Sequence, residues 1–525
     1  MLHIKAFLLR RIIEMELTKA FVAFIPIIWL FLSLGVMKMT TYKACSIGLI
    51  LTGLLAMLTF NMPGKLLAQS ILEGTVYSVL SISWIIVAAL LVYNITLKTG
   101  ALNIIKKMLT NISLDRRMQA LIIGFAFGGF LEAVAGFGTS VAIPAGILIA
   151  MGFPPLKAAV VCLVSNTVPV ALGVLGIPAI SLAETTGLQL EKIIYYMCIQ
   201  LLPFAIVLPL LVVFIVTNDI RKLKGAILPS LLSGLTFAIG QTTVAMFIGV
   251  ELAAAVGSLC ALLTLVIWCK AKKNKQNFRF ENDNNTEDAK EDISFKDIVI
   301  AWSPYILILI FIILVQLFPF FNKTPFLLSK QFYFGNGGKP ITFNWLTSGG
   351  SILFMAALIG GIVQGMRVKT FFLTIKETLW QVKFSVLTIV LVVSLAKVMT
   401  YCGMISESAM LIAAVSGKFF PFMSPLIGAL GTFITGSDTS SNILFGGLQQ
   451  QTALNLGLNE YWITAGNGAG ATAGKMISPQ SISIASASIY NAAKENEMME
   501  ATIKYCIVYV ILMGVFVYFG QMLML

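Results

Sequence analysis

The chain has 525 residues, of which 58% are hydrophobic and 11% charged, with a formal net charge of +13. Its mean hydropathy of +0.92 excludes a soluble globular protein, which needs a charged surface. The basic excess lies in short loops between apolar runs, which is the positive-inside pattern of membrane proteins and does not indicate nucleic acid.

The apolar runs are long and continuous, which favours membrane-spanning helices over a β-barrel. They predict an all-α polytopic membrane protein with about 12 transmembrane helices plus two re-entrant hairpins. The candidate spans are 20–36, 44–60, 76–97, 156–183, 194–217, 226–247, 249–270, 300–318, 349–366, 380–397, 461–490 and 502–524. Two further stretches, 120–152 and 421–456, are broken by glycine and polar residues, and each is predicted to form a re-entrant hairpin.

One long hydrophilic segment, 271–297, is rich in Asn, Lys and Asp and predicts a flexible cytoplasmic loop. Basic clusters also precede 120–152, follow 194–217 and follow 349–366. Placing all of them in the cytoplasm gives even numbers of crossings between them. Both chain termini then lie outside, which conflicts mildly with the basic residues near the N-terminus.

Two parts of the chain resemble each other. Gly136–Ser140 matches Gly436–Ser440, and Asn166, Gly173 and Pro178 match residues 301 positions later. This pattern predicts an inverted-topology repeat. The predicted division is 1–75 for N-terminal spans, 76–217 for repeat 1, 218–379 for connecting spans and 380–525 for repeat 2. Each repeat contains one hairpin and one broken span (156–183 and 461–490).

In such repeats the substrate site lies where helices are interrupted near the midplane, because free N–H groups and helix dipoles favour a small anion. The interruptions fall at Ala135–Ser140, Ser165–Pro178, Thr435–Asn442 and Gly466–Pro479. Glycine allows close approach, and hydroxyl and amide groups can bind a carboxylate and a hydroxyl. The predicted substrate-binding residues are Gly136, Gly138, Thr139, Ser140, Ser165, Asn166, Thr167, Thr439, Ser440, Ser441, Asn442, Asn467 and Lys475. The competing interpretation is close helix packing through small residues.

Three charged residues fall within or beside these segments. Lys475 is a candidate for holding a substrate carboxylate, since a lysine at the bilayer centre costs roughly 3 kcal/mol. Glu132 and Asp438 are candidates for carrying a coupled proton. The alternative for all three is a structural ion pair. The only histidine is His3, and the seven cysteines form no CxxC, so no metal site, cofactor or disulfide framework is predicted.

These motifs resemble those of the bacterial L-lactate permease family over nearly the whole chain. The segments that carry the resemblance are Pro26, Met62–Pro63, Trp84, Tyr93, Thr99–Gly100, Gly129–Ser140 with Pro144, Gly152–Pro155, Ser165–Pro169, Gly173–Pro178, Thr435–Asn442 and Gly466–Gln480. The layout also resembles, more distantly, a wider ion-transporter superfamily with two inverted repeats, some members of which are sodium-coupled.

The resemblance implies a multi-pass carrier in the bacterial cell (inner) membrane, with a monocarboxylate and protons as its partners. It implies uptake of L-lactate, often with D-lactate and glycolate, by proton symport. A sodium-coupled carrier of another small carboxylate is the alternative, and a homo-oligomer is left open. A membrane enzyme is disfavoured, since the chain has no GxSxG motif and no metal cluster. Two closing hairpins argue against a channel.

Overall fold

The computed structural model describes residues 18–37, 39–136, 138–271, 278–280, 293–317, 329–335, 340–489 and 493–524. The predicted all-α polytopic architecture is confirmed within these ranges, where eleven helices are long and apolar enough to cross a membrane. These helices are Thr41–Leu58, Gly64–Lys98, Arg116–Val134, Pro169–Thr186, Leu190–Thr217, Ile227–Phe247, Val250–Ala271, Phe295–Val315, Val368–Tyr401, Met404–Thr435 and Glu495–Met522. The count of twelve spans, the re-entrance of the hairpins and the division into repeats stay predictions.

Shorter elements fill the spaces between the long helices. The further helices are Thr18–Leu34, Ala101–Thr110, Thr139–Ala150, Pro155–Ser165, Gly349–Val363, Asp438–Asn455, Glu460–Lys475 and Pro479–Ser488. Strands Ser329–Phe332 and Ile341–Asn344 pair antiparallel, a small sheet that the apolar pattern did not predict. Residues 1–17 and most of the predicted loop 271–297 lie outside the described residues.

The stretch predicted as the first hairpin folds into two packed helices, Arg116–Val134 and Thr139–Ala150, here called hairpin 1. Its first helix begins after Asp115, whose carboxylate accepts from the Arg117 N–H at 2.9 Å. Apolar residues of this helix occupy all of its faces, and the helix is buried throughout its length. The arms pack antiparallel, and the Ser140 hydroxyl donates to Glu132 across the turn.

The second predicted hairpin has the same construction. Hairpin 2 consists of the helices Phe420–Thr435 and Asp438–Asn455. Its antiparallel arms are joined by Ser441 Oγ donating to the Gly428 carbonyl at 2.8 Å and by Gln449 Nε2 donating to the Ser424 carbonyl at 3.0 Å. The turn uses Gly436, whose φ of 73° suits a residue without a Cβ.

Broken span 1 consists of the helices Pro155–Ser165 and Gly173–Thr186, with a short 3₁₀ turn at Pro169–Leu172 between them. The backbone of the second helix is left-handed near its start, with φ of 45° at Val174 and 55° at Leu175. Positive φ at a β-branched residue is a strained conformation.

Broken span 2 consists of the helices Glu460–Lys475 and Pro479–Ser488. The prediction that its interruption begins at Gly466 was wrong, because the helix continues to Lys475. Its glycines serve packing instead: a Cβ at Gly470 would lie 2.2 Å from the Pro425 carbonyl oxygen, and one at Gly474 would lie 2.1 Å from that of Ala429. The absence of side chains lets this helix approach hairpin 2 backbone to backbone.

Two long helices, Gly64–Lys98 and Val368–Tyr401, cross the molecule antiparallel and are here called the helix pair. They contain the predicted spans 76–97 and 380–397. A Cβ at Gly74 would lie 2.6 Å from Ser394 Cα, so the two backbones touch. Lys98 pairs with Glu377 near one end, and Glu73 pairs with Lys397 toward the other.

Candidate functional site

A cavity of about 340 Å³ lies where the tips of both hairpins meet both broken spans, the helix Val368–Tyr401 and the start of the helix Thr41–Leu58. Its polar and charged lining residues are Thr40, Thr41, Tyr42, Glu132, Ser385, Thr388, Thr435, Ser437, Asp438, Thr439, Ser440, Lys475, Gln480 and Ser481. We call it the central cavity. Residues that are 300 or more positions apart in sequence therefore line one cavity.

Three helices point their N-termini at the central cavity. They start at Thr139, Asp438 and Pro479, and residues at or beside each start line the cavity. The helix at Thr139 has no side-chain cap, and the N–H groups of Thr139, Val141 and Ala142 in its first turn donate to the Gly136 and Gly138 carbonyls. Three positive half-dipoles at one cavity favour an anionic ligand.

Lys475 adds a full positive charge at the end of the helix Glu460–Lys475. Its Nζ donates to the Gly436 carbonyl at 3.1 Å, which holds the ammonium against the tip of hairpin 2. The side chain is only half-buried and faces the cavity. A carboxylate in the cavity would therefore meet an ammonium group that already has a fixed position.

The two predicted proton carriers face the same cavity with different surroundings. Glu132 is 2% exposed and accepts a short hydrogen bond from the Ser140 hydroxyl of its own hairpin. Asp438 is 3% exposed, and neither carboxylate oxygen has a hydrogen-bond partner among the described residues. The Thr432 hydroxyl, Lys475 and Glu132 are its electrostatic neighbours, the hydroxyl outside hydrogen-bond geometry. A buried carboxylate that accepts no hydrogen bond is stable only when it is protonated or when a ligand pairs with it.

The tip of hairpin 1 is built by close contacts rather than by polar groups. Gly136 and Gly138 have φ of 57° and 86°. A Cβ at Gly136 would lie 2.2 Å from Val174 Cγ2, and one at Gly138 would lie 2.5 Å from Ile484 Cδ1. The tip therefore fits between broken span 1 and broken span 2, and Thr139 behind it donates to the Gly136 carbonyl.

Several predicted site residues lie away from the cavity lining. Asn467 Nδ2 donates to Asn442 Oδ1 at 2.9 Å, and Asn442 Nδ2 donates to the Pro178 carbonyl at 3.0 Å. Gln449 Nε2 donates to Asn467 Oδ1 at 3.1 Å. This chain of amides joins hairpin 2 and both broken spans. Ser441 donates within hairpin 2, as described above.

The predicted Ser165, Asn166 and Thr167 are also buried outside the lining. Thr167 donates to the Val164 carbonyl at 2.7 Å. The Ser165 hydroxyl and both side-chain polar atoms of Asn166 have no hydrogen-bond partner among the described residues. Unpaired buried polar groups of this kind mark a place where a water or an ion fits.

Some lining residues come from helices without an interruption, and these were not among the predicted site residues. Tyr42 lies in the first turn of the helix Thr41–Leu58 and stacks on Phe384, with ring centroids 4.8 Å apart. Ser385 and Thr388 lie one helical turn apart on the helix Val368–Tyr401. Their spacing of three residues in an apolar run is a signal that sequence reasoning could have used. No group of three metal-ligating side chains occurs among the described residues.

Comparison with known proteins gives one consistent family. A family model described as L-lactate permease matches residues 19–524. An L-lactate permease of Streptococcus iniae is 41% identical over 453 residues, covering 85% of this chain and 93% of that protein. The L-lactate permease of Bacillus subtilis is 35% identical over 93% of both chains. The glycolate permease GlcA of Escherichia coli is 34% identical over 94% of both.

Proposed function

The chain belongs to the L-lactate permease family, and we propose that it takes up L-lactate, D-lactate and glycolate by proton symport. Membership makes it a multi-pass permease of the bacterial cell membrane and not an enzyme. The names of its relatives support lactate and glycolate as substrates. Proton coupling and the residues that carry it are argued from the central cavity.

The observation that carries the proposal is the pairing of an anion-favouring cavity with the buried Asp438 carboxylate, which has no hydrogen-bond partner among the residues that the structure describes. The substrate carboxylate binds the Lys475 ammonium, and the N-termini of the helices that start at Thr139, Asp438 and Pro479 add positive electrostatic potential. The hydroxyl groups of Thr439 and Ser440 at the tip of hairpin 2, with the Gln480 amide, offer hydrogen bonds to the 2-hydroxyl of the substrate.

Asp438 carries the coupled proton in this scheme. With the proton bound, the buried side chain is neutral and its burial is inexpensive. An incoming anion then adds one negative charge beside Lys475 rather than a second one beside an ionised Asp438. Substrate and proton therefore enter together, and alternating access releases them on the other side. Glu132, which has Ser140 as its partner, fixes the tip of hairpin 1.

Sodium coupling is the second candidate, and one observation favours it. The Ser165 hydroxyl and the Asn166 amide are buried at the interruption of broken span 1 without hydrogen-bond partners among the described residues. Such neutral oxygen atoms suit a monovalent cation, which would replace the proton as the coupling ion.

The first test is uptake of radiolabelled L-lactate into proteoliposomes under an inward-acid pH gradient without sodium. We expect accumulation that collapses when a protonophore is added. Lys475→Ala should abolish it, because the substrate loses its fixed cation. Asp438→Asn should abolish accumulation but retain exchange of external for internal lactate, because exchange moves no net proton.

Glu132→Gln serves as the matched control, since glutamine still accepts from Ser140 and should preserve accumulation. Uptake that requires sodium would identify sodium, rather than the proton, as the coupling ion. Loss of exchange along with accumulation in Asp438→Asn would contradict a role limited to the proton. Absence of lactate transport under either gradient would reject the substrate assignment.

A further inference from the structure

A second, larger cavity of about 690 Å³ lies between the helix pair, the end of broken span 1 and the strand Ile341–Asn344. It reaches loop residues such as Gly187 and Pro340. Its ionisable lining residues are Glu73, Tyr77, Glu184, Lys397 and Tyr401. None of these groups has a role in the central cavity, so their presence together needs a separate explanation.

The second cavity opens on the face opposite the basic loops. Along the helix Val368–Tyr401, Glu377 pairs with Lys98 at the basic end, Thr388 lines the central cavity, and Lys397 lines the second cavity. Nine helical residues span about 14 Å, so the second cavity lies farther from the basic end than the central cavity does. Since basic loops face the cytoplasm, the second cavity faces outward.

An ion pair with an accessible cation lies in the wall of the second cavity. Lys397 Nζ lies 2.6 Å from Glu73 Oε1, and the Tyr401 hydroxyl donates to Glu73 Oε2 at 2.9 Å. The Glu73 side chain is 3% exposed, whereas that of Lys397 is 25% exposed. The carboxylate is therefore enclosed, while the ammonium keeps one side open to the cavity.

We propose, on the basis of the proposed function, that Glu73 and Lys397 form an outer loading subsite for a monocarboxylate and its proton. The substrate carboxylate replaces Glu73 at the Lys397 ammonium, and one proton moves to Glu73, where Tyr401 holds it. One anion and one proton enter together, so the net charge of the wall does not change. Adding a bare anion beside Glu73 and Glu184 would instead place like charges together.

The other ionisable groups around Glu73 support this assignment. Lys397 is the one cation among the described lining residues, so an anion has no other positive partner there. Glu184 faces the same space from broken span 1, with the Tyr77 hydroxyl as its neighbour. Two acids and one base leave the cavity acidic, and a proton from solution is therefore drawn to the wall that receives the substrate.

The test compares loading of radiolabelled L-lactate from the two faces, using right-side-out and inside-out membrane vesicles of the full-length protein. Removal of a charge-assisted contact weakens binding roughly tenfold or more. Lys397→Gln should therefore raise the half-saturating lactate concentration by roughly that factor in right-side-out vesicles. It should leave the value unchanged in inside-out vesicles. Glu73→Gln should flatten the dependence of outer half-saturation on external pH.

Lys98→Gln is the matched control, because Lys98 forms an ion pair on the same two helices at the opposite end, away from both cavities. It should change neither value. The double variant Glu73→Gln/Lys397→Gln leaves no unpaired charge and should retain the outer defect even if a single variant folds poorly. An equal change in both preparations, no change, or a change only in inside-out vesicles would overturn the inference. Absence of lactate transport in the unmodified protein would instead reject the proposed function.

Discussion

At the tip of hairpin 1, Gly136 combines a positive φ with contact to a neighbour that has little freedom to move. A Cβ at this position would lie 2.2 Å from Val174 Cγ2, and Val174 itself has a φ of 45°. Val174 is β-branched and buried, so it cannot rotate away without displacing broken span 1. The fit between tip and interruption therefore depends on the missing side chain.

We predict that Gly136→Ala lowers both the apparent melting temperature and the initial rate of lactate uptake. The left-handed backbone contributes about 1–2 kcal/mol of destabilisation and overpacking about 1–3 kcal/mol. Gly100→Ala is the control, since Gly100 has a φ of 78° but nothing within 4 Å of a Cβ. That variant should lower the melting temperature by the backbone contribution alone and leave uptake unchanged. Equal effects in both variants would contradict the contact with Val174.

At the residue scale, sequence reasoning identified some of the lining residues at the interruptions, missed others there such as Ser437 and Gln480, and missed those of uninterrupted helices. Lys475 and Asp438 are charged residues in apolar runs, and the free-energy cost of such a residue in a membrane makes it stand out in a sequence. Tyr42 and Thr388 are ordinary residues of uninterrupted helices, and only the packing of distant segments brings them to the cavity. Asn442 and Asn467 show the opposite error, because an amide that binds another amide has the same sequence signature as one that binds a substrate.

At the element scale, the helix Glu460–Lys475 shows why composition alone misjudges an interruption. Its glycine-rich run predicted a broken helix from Gly466 onward, yet the helix is continuous to Lys475. Glycine both weakens a helix and allows a second helix to approach. The sequence contains no sign of which effect prevails, since the deciding neighbour, hairpin 2, is set by tertiary packing.

This packing predicts opposite outcomes for two helical glycines. Gly470→Ala should destabilise the protein by about 1–3 kcal/mol through overpacking, because a Cβ there would lie 2.2 Å from the Pro425 carbonyl oxygen. Gly447→Ala should stabilise it by up to about 1 kcal/mol, because the nearest atom, in Ile405, is 3.7 Å away. Apparent melting temperatures in detergent check both. A neutral Gly470→Ala would mean that the two helices have room to separate.

At the scale of the whole molecule, the two similar segments converge on one cavity. Gly136 and Gly436 both form hairpin turns at positive φ, and Pro178 and Pro479 both lie near the start of the second helix of a broken span. The similarity in sequence predicted which segments would be alike. The interruptions themselves differ, since Leu175 has a φ of 55° whereas Met476, 301 positions later, has a φ of −56°. The similarity therefore extends to the hairpin turns and the prolines but not to the backbone of the interruptions.

The assignment of the second cavity to the outer face of the membrane depends on the orientation of the whole chain. Arg117 binds the carbonyls of Lys222 and Lys224, so basic residues of separate loops collect on one face. The strands Ser329–Phe332 and Ile341–Asn344 lie beside the second cavity at the opposite end. Positive charge is retained in the cytoplasm during insertion, which orients the basic face inward and the strands outward.

We therefore predict the accessibility of two single cysteines in a variant that lacks the seven native ones. Ile220 and Tyr333 are matched positions, 74% and 72% exposed, on the basic face and beside the strands respectively. In intact cells a membrane-impermeant maleimide should label Tyr333→Cys and not Ile220→Cys, and permeabilised cells should show both labelled. The reverse pattern would show that the protein has the opposite orientation in the membrane. Lys397 would then meet substrate that arrives from the cytoplasm, and the Glu73–Lys397 pair would act in release rather than in loading.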